Sequence, residues 1–117
     1  MTTNPRFSIV ILTYAREAIL SDTLDRLAGH LDGRTDYELL LVDNNPEDLC
    51  RSEQLARFNL AKVIWDGRNK GVAARNLGFD IARGDYVILL DDDVLVDTPD
   101  FLDRFAAAFD SDERLGA

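Results

Sequence analysis

The sequence predicts an α/β fold: an open, largely parallel sheet of about four strands with helices on both faces. Three observations carry that prediction. Four short apolar runs, rich in β-branched residues, are spread along the 117 residues. Runs of this kind mark strands covered on both faces. Segments with apolar residues at helical spacing lie between and after them, so the order reads β-α-β-α-β-α-β-α. Polar residues follow all four runs, and three of the four ends carry an aspartate. Right-handed crossovers then leave few topologies open.

The first strand is FSIVILT, residues 7–13. A helix follows over 18–31, with Leu20, Leu24, Leu27 and Leu31 on one face and Gly33 as its stop. YELLLVD, residues 37–43, is the second strand. A helix with a thin apolar face is expected over 44–58, with Asn45 as cap and Pro46 at its first position. AKVIW, residues 61–65, is the third strand. The spacing of Ala74, Leu77, Gly78 and Ile81 predicts a helix over 69–84, stopped by Gly84. DYVILLD, residues 85–91, is the fourth strand. The last helix spans 97–109, with Thr98 as cap, Pro99 at its start, and Phe101, Phe105 and Phe109 four apart.

Composition excludes several classes of function. Hydrophobic residues make up 46% and charged residues 30%, as in an ordinary globular domain. No apolar run approaches the roughly 20 residues of a membrane helix, and the N-terminus has no signal-peptide core, so the expected compartment is the cytoplasm. The single Cys50 rules out an internal disulfide and a multi-cysteine zinc site, and the single His30 speaks against histidine catalysis. The net charge of -9 is uneven: residues 1–90 carry 13 acidic and 11 basic side chains, residues 91–117 carry 9 and 2. No basic face is offered to nucleic acid. Asp100, Asp103, Asp110, Asp112 and Glu113 read as a solvated helix face.

In an open parallel sheet, ligands bind outside the carboxyl ends of the strands. Those ends read Thr13-Tyr14, Asp43-Asn44-Asn45, Asp66-Gly67-Arg68-Asn69 and Asp91-Asp92-Asp93. Helix capping accounts for Asn45 and Asn69. It does not account for three successive aspartates, whose repulsion a hard divalent cation such as Mg²⁺ or Mn²⁺ would offset. On an extended segment Asp91 and Asp93 point one way and Asp92 the other. Just upstream, Asn69 and Gly71 open a helix flanked by Arg68, Lys70 and Arg75. A helix N-terminus favours anions, and a guanidinium grips phosphate at two points. Lys70 reads as an ordinary surface lysine.

With these residues in place, the chain resembles the N-terminal half of a family 2 glycosyltransferase, the inverting group with the GT-A fold. FSIVILTYAR resembles the family's opening strand and its Thr-Tyr-Asn-Arg-like turn. Ala15 stands where Asn is common, a change expected to affect nothing essential. YELLLVDNNPED resembles the second strand and turn, with Pro46 where Ser or Gly is usual. NKGVAARNLGFDIARGDYVILLDDD resembles the family's Asn-x-Gly-x-x-x-Ala-Arg-Asn-x-Gly helix, its Gly-Asp-Tyr turn and its DxD strand. The likeness runs from Phe7 to Phe109.

The resemblance implies a Rossmann-like GT-A half-domain over residues 1–117 that binds a nucleotide-diphospho-sugar. Thr13, Tyr14 and Asp43 would line the pocket for base and ribose. Asn69 and Arg75 would lie along the donor. Asp91 and Asp92 would reach ribose or sugar hydroxyls, and Asp93, with Asp91, would hold Mn²⁺ or Mg²⁺ on the diphosphate. The acceptor, a saccharide, a lipid-linked group or another hydroxyl, is open, and a lipid-linked one would bring the chain to the inner membrane face. The family's general base lies in the second half of the domain. No catalytic residue is therefore assigned, the chain is expected to be a truncated enzyme inactive alone, and a homodimer through the exposed sheet edge and the Phe105 stripe is a further expectation. The alternative is a non-catalytic nucleotide-binding or assembly module of the same fold. LLDDDVLVDT also resembles the first motif of haloacid dehalogenase phosphatases, but three strands precede it and its Gly-Thr is missing. A nucleotidyltransferase would need a Gly-rich loop where TYAREA stands.

Overall fold

A computed structural model of the chain describes residues 5–15, 17–45, 52–65, 80–91 and 100–111. In chain order the elements are β1 (Phe7–Thr13), α1 (Glu17–His30), β2 (Tyr37–Asp43), α2 (Ser52–Leu55), β3 (Ala61–Trp65), β4 (Tyr86–Asp91) and α3 (Phe101–Ser111). The four strands form one sheet in the order β3-β2-β1-β4, and every pairing is parallel. The expected α/β architecture is therefore present. Of the helix expected over 69–84, Asp80 and Ile81 are described and helical, Ala82, Arg83 and Gly84 are described and not helical, and residues 69–79 lie outside the described residues.

β1 and β2 are buried on both faces, which is why they read as unbroken apolar runs, whereas β3 and Val87 of β4 are partly open to solvent. On one face Phe7, Ile9, Ile11, Leu39, Leu41, Ile88 and Leu90 meet Leu20, Leu24 and Leu27 of α1 and Phe101, Leu102 and Ala106 of α3. On the other, Val10, Leu40 and Val42 pack with Leu12, Ile64, Ala82 and Leu89. Each fully buried leucine contributes about 1.5–3 kcal/mol of transfer free energy. The central pair β1–β2 supplies most of the residues with no exposure at all.

Two glycines act differently from one another. Gly33 ends α1 with φ of 81°, the left-handed turn expected of a helix stop. Gly84 does not take a left-handed φ. It is required for closeness instead: a Cβ there would stand 2.6 Å from the Ser8 amide nitrogen and 2.7 Å from Ser8 Oγ. The Gly84 N–H donates to Ser8 Oγ at 2.8 Å, which pulls the start of β4 onto β1.

The phenylalanines of α3 divide rather than act as one stripe. Phe101 is buried in the core, and Phe109 sets its ring 5.8 Å from that of Tyr86. Phe105 is 42% exposed. The acidic residues of this helix are also partnered rather than merely solvated. Asp103 accepts two bonds from the Arg34 guanidinium at 3.1 Å, and Asp110 accepts from the Tyr86 hydroxyl. Arg34 also holds Asp36 at 2.7 and 3.0 Å, so one cation ties the α1–β2 turn to α3. Hydrogen bonds from Arg34 hold the Asp36 and Asp103 carboxyls below the ordinary carboxylate range.

Gly84→Ala is expected to destabilise the chain by at least about 1–3 kcal/mol, the cost of overpacking against backbone that cannot yield. Thermal or urea denaturation measures it. Because the folded pKa values of Asp36 and Asp103 are depressed, their contribution is present above the unfolded value of about 3.9 and is lost as pH falls below it. Melting curves between about pH 5 and pH 3 should show that loss, and Arg34→Met should flatten it.

Candidate functional site at the carboxyl ends of the strands

The strand order locates the site. From β1 the chain moves outward through β2 to β3, and then crosses back to place β4 on the other side of β1. The β1–β4 boundary is thus the topological switch point, where a crevice opens outside the carboxyl ends of an open parallel sheet. Thr13 and Tyr14 leave β1 on one side of it, and Asp91 ends β4 on the other.

Register sets which side chains share a face. Thr13 lies opposite Asp43, and Asp43 opposite Trp65, so these three form one row at the carboxyl rim. Asp91 lies opposite Leu12 in the register of β4 on β1. Thr13 and Asp43 are buried in the rim, Asp43 to 3% exposure, whereas Tyr14 is 47% exposed beside them.

A hydrogen-bonded frame holds this rim. Asp43 Oδ1 accepts from the Asn45 backbone N–H at 2.9 Å and from Asn45 Nδ2 at 2.6 Å. Asn45 Oδ1 accepts from the Ala15 N–H at 2.8 Å, and Asn44 N–H donates to the Thr13 carbonyl. Trp65 Nε1 donates to the Asn45 carbonyl at 2.8 Å. The turns after β1 and β2 and the last residue of β3 are therefore joined through one asparagine. The helix start that Asn45 is expected to cap, at residues 46–51, lies outside the described residues; among the described residues the Asn45 side chain ties the turn after β2 to the turn after β1. Trp65 was not picked out from the sequence, because an aromatic at a strand end carries no signal without the fold.

Ala15 sits in the left-handed region at φ 55°. There an ordinary side chain crowds the following carbonyl, and Asn is among the few non-glycine residues that tolerate it. Ala15 thus carries backbone strain that an asparagine would carry less of.

Asn69, Arg75, Asp92 and Asp93, and with them Arg68, Lys70 and Gly71, lie outside the described residues, as does the Asp91 side chain. Among the described residues no group of three or more His, Cys, Asp or Glu comes together. The donor set of the sequence, three successive carboxylates at a strand end, is nonetheless that of a hard cation. Two grooves of about 280 and 440 Å³ share Thr35, Tyr37 and Asn59 and lie at the opposite, amino end of the strands. They carry none of the strand-end aspartates. No helix among the described residues is long and apolar enough to cross a membrane.

Comparison with known proteins adds the following. The family model described as Glycosyl transferase family 2 matches residues 8–117. The amylovoran biosynthesis glycosyltransferase AmsB of Erwinia amylovora is 31% identical over 93 residues, covering 74% of this chain and 30% of the relative. The crystal structure of S. aureus TarS 1-349 matches with a TM-score of 0.76 at 26% identity, over 91% of this chain and 32% of that one. The same TarS fragment in complex with UDP-GlcNAc matches at 0.71, with 27% identity, 91% of this chain and 31% of that one. The mannosyltransferase PcManGT from Pyrobaculum calidifontis, in complex with GDP-Man and Mn²⁺, shares the fold at 0.69 and 22% identity, over 86% and 31% of the two chains. The chain spans about a third of the length of these relatives.

The frame around Asn45 is testable by stability alone. Asn45→Ala removes the acceptor of the Ala15 N–H and the Nδ2 donor to Asp43, leaves the backbone N–H of residue 45 on Asp43, and should cost about 1–3 kcal/mol. Ala15→Asn should instead stabilise, by up to about 1 kcal/mol, by relieving the left-handed strain. Urea denaturation of the two variants should move in opposite directions.

Proposed function

The chain belongs to glycosyl transferase family 2, and from that premise we propose that it is the donor-binding half of an inverting, hexosyltransferase-like enzyme that takes a sugar from a nucleotide-diphospho-sugar. The observation that carries the reading is the strand-end set itself: Thr13, Tyr14 and Asp43 on one side of the switch point and Asp91 on the other. The complex of TarS with UDP-GlcNAc supports a nucleotide-sugar as the ligand class.

In this reading each residue has a defined task. Tyr14, exposed at the end of β1, offers its ring to a nucleobase. Asp43, fixed by Asn45, accepts hydrogen bonds from the base or ribose. Asn69 and Arg75 hold the nucleotide along its length, the guanidinium gripping an anionic oxygen at two points. Asp91 and Asp93 would hold a Mn²⁺ or Mg²⁺ ion, and Asp92 faces the other way, toward a sugar hydroxyl. The cation, when bound, supplies charge stabilisation to the departing nucleoside diphosphate. The general base and the acceptor pocket belong, in this reading, outside these 117 residues. The chain alone then binds donor without transferring sugar.

Calorimetric titration with a panel of nucleoside diphosphates tests this. Binding is expected only with Mn²⁺ or Mg²⁺ present, and Asp93→Ala should lower affinity by at least about tenfold. Asp43→Ala should blur the ranking among bases while leaving the cation requirement intact. Equal binding in excess chelator would overturn the metal role, and an unchanged base ranking would remove Asp43 from the pocket.

A further inference from the structure

The strand that carries the aspartates has no hydrophobic pattern to fix its register. Val87, Ile88, Leu89 and Leu90 are apolar on both faces. Sliding β4 by one residue against β1 exchanges Ile88 and Leu90 for Val87 and Leu89, apolar for apolar. Register is strongly specified by burial only where one face is polar, and here neither face of this run is. Yet register matters at the far end. β4 ends at Asp91, and a slip of one residue would move that end by about 3.3 Å against β1.

Tyr86, stacked on Phe7 with ring centroids 5.5 Å apart, marks one point of the register; beyond it the polar candidates are few. Between Phe7 and Leu12, β1 has one polar residue, Ser8. Between Tyr37 and Val42, β2 has one, Glu38. The two are register partners on adjacent strands, and both are buried, Glu38 to 1% exposure. A buried carboxylate is costly unless hydrogen-bonded. Its bonds run to Ser8 and to the segment that leads into β4. Ser8 Oγ donates to Glu38 Oε2 at 2.6 Å, and the Arg83 backbone N–H donates to the same oxygen at 2.8 Å. The Gly84 N–H donates to Ser8 Oγ, and the Arg83 guanidinium stands 3.5 Å from Glu38 Oε1. Three of these contacts end on residues 83 and 84, immediately before the strand. A slip of one residue, about 3.3 Å, would pull both N–H groups off their acceptors. It would also bring the Cβ of Arg83 or Asp85 into the space that only Gly84 fits.

We propose that Ser8 and Glu38 are positioning residues that lock the register of β4, and so fix where the strand that ends in Asp91 delivers its carboxyl end. The metal readout below rests on the function proposed above; the lock itself does not. The lock acts from the amino end of the sheet on the carboxyl end, through a strand that would otherwise slide.

The test uses the chain with Ser8→Ala and Glu38→Leu combined. The double variant removes the Ser8–Glu38 pair together with the acceptors of the Arg83 and Gly84 N–H groups, so it should lose stability for each N–H left without a partner, and circular dichroism establishes that the fold survives. In this variant, NMR should show two sets of β4 amide signals, with methyl contacts from Val10 to Ile88 or Leu90 beside the native contact to Leu89. Mn²⁺ affinity should fall about tenfold. Glu38→Gln keeps an acceptor oxygen for Ser8 and Arg83, and should retain the single native register and the native affinity. The proposal is overturned by a double variant that keeps one register with only the Val10–Leu89 contact. It is also overturned by a slip in Glu38→Gln, or by a double variant that fails to fold, which would make the pair a stability element. If the unsubstituted chain binds no Mn²⁺, the functional reading fails, and the NMR contacts still decide the lock.

Discussion

Hydrogen bonding along both edges of β1 is the constraint from which the rest follows. Its seven residues pair with β2 over their whole length, and six of them pair with β4 on the other edge. Because every pairing is parallel, crossing segments cover both faces of this central strand, so most of its side chains are apolar, and Phe7, Ile9, Val10 and Ile11 have no exposure. The switch point beside β1 is a consequence of the same placement. Where the chain reverses its direction of growth across the sheet, the connecting segments diverge, and the carboxyl ends of β1 and β4 are left open between them.

The two ends of this sheet carry different chemistry. At the amino end charges are paired and rings are stacked: Arg34 between Asp36 and Asp103, Arg6 over Phe7 and Tyr86, and Phe7 against Tyr86. These contacts join β1, β4, α3 and the turn before β2, and they hold elements together. At the carboxyl end the hydrogen bonds run within and between turns, through Asn45, and they fix the direction of groups rather than the approach of elements. This separation lets the carboxyl end hold an excess of carboxylates without loss of the scaffold.

Much of the fold was legible in the sequence, for a specific reason. Strands buried on both faces have an unmistakable composition, and Phe7–Thr13 and Tyr37–Asp43 were read with the bounds they have in the structure. The parallel sheet followed from alternation. The α1 face followed from leucine spacing, and Gly33 from its place after the last leucine. What was not legible depends on contacts distant in sequence. Gly84 looked like a helix stop, and its true role is set by Ser8, which lies on another strand. Asn45 looked like a cap, and its partners are Asp43 and Ala15. Asp103 looked solvated, and Arg34 reaches it from the far end of α1. In each case the residue type was informative about local backbone, whereas its partner is chosen by the topology. For the site, Thr13, Tyr14 and Asp43 fell at the rim because strand ends are predictable once strands are. The finer roles of Asn69, Arg75, Asp92 and Asp93 rest on family resemblance and fall outside the described residues.

Trp65 is the chain's single tryptophan, and it is hydrogen-bonded to the backbone carbonyl of the asparagine that frames the rim. It is also partly open to solvent at 39% exposure. Indole emission depends on polarity and on the strength of the N–H hydrogen bond. The fluorescence of this protein therefore has one source, and that source is wired to the turn carrying Asp43. A rearrangement of that turn alters the emission directly, with no label attached, while the aromatic cluster of Phe7, Tyr86 and Phe109 at the other end of the sheet adds nothing to the tryptophan band.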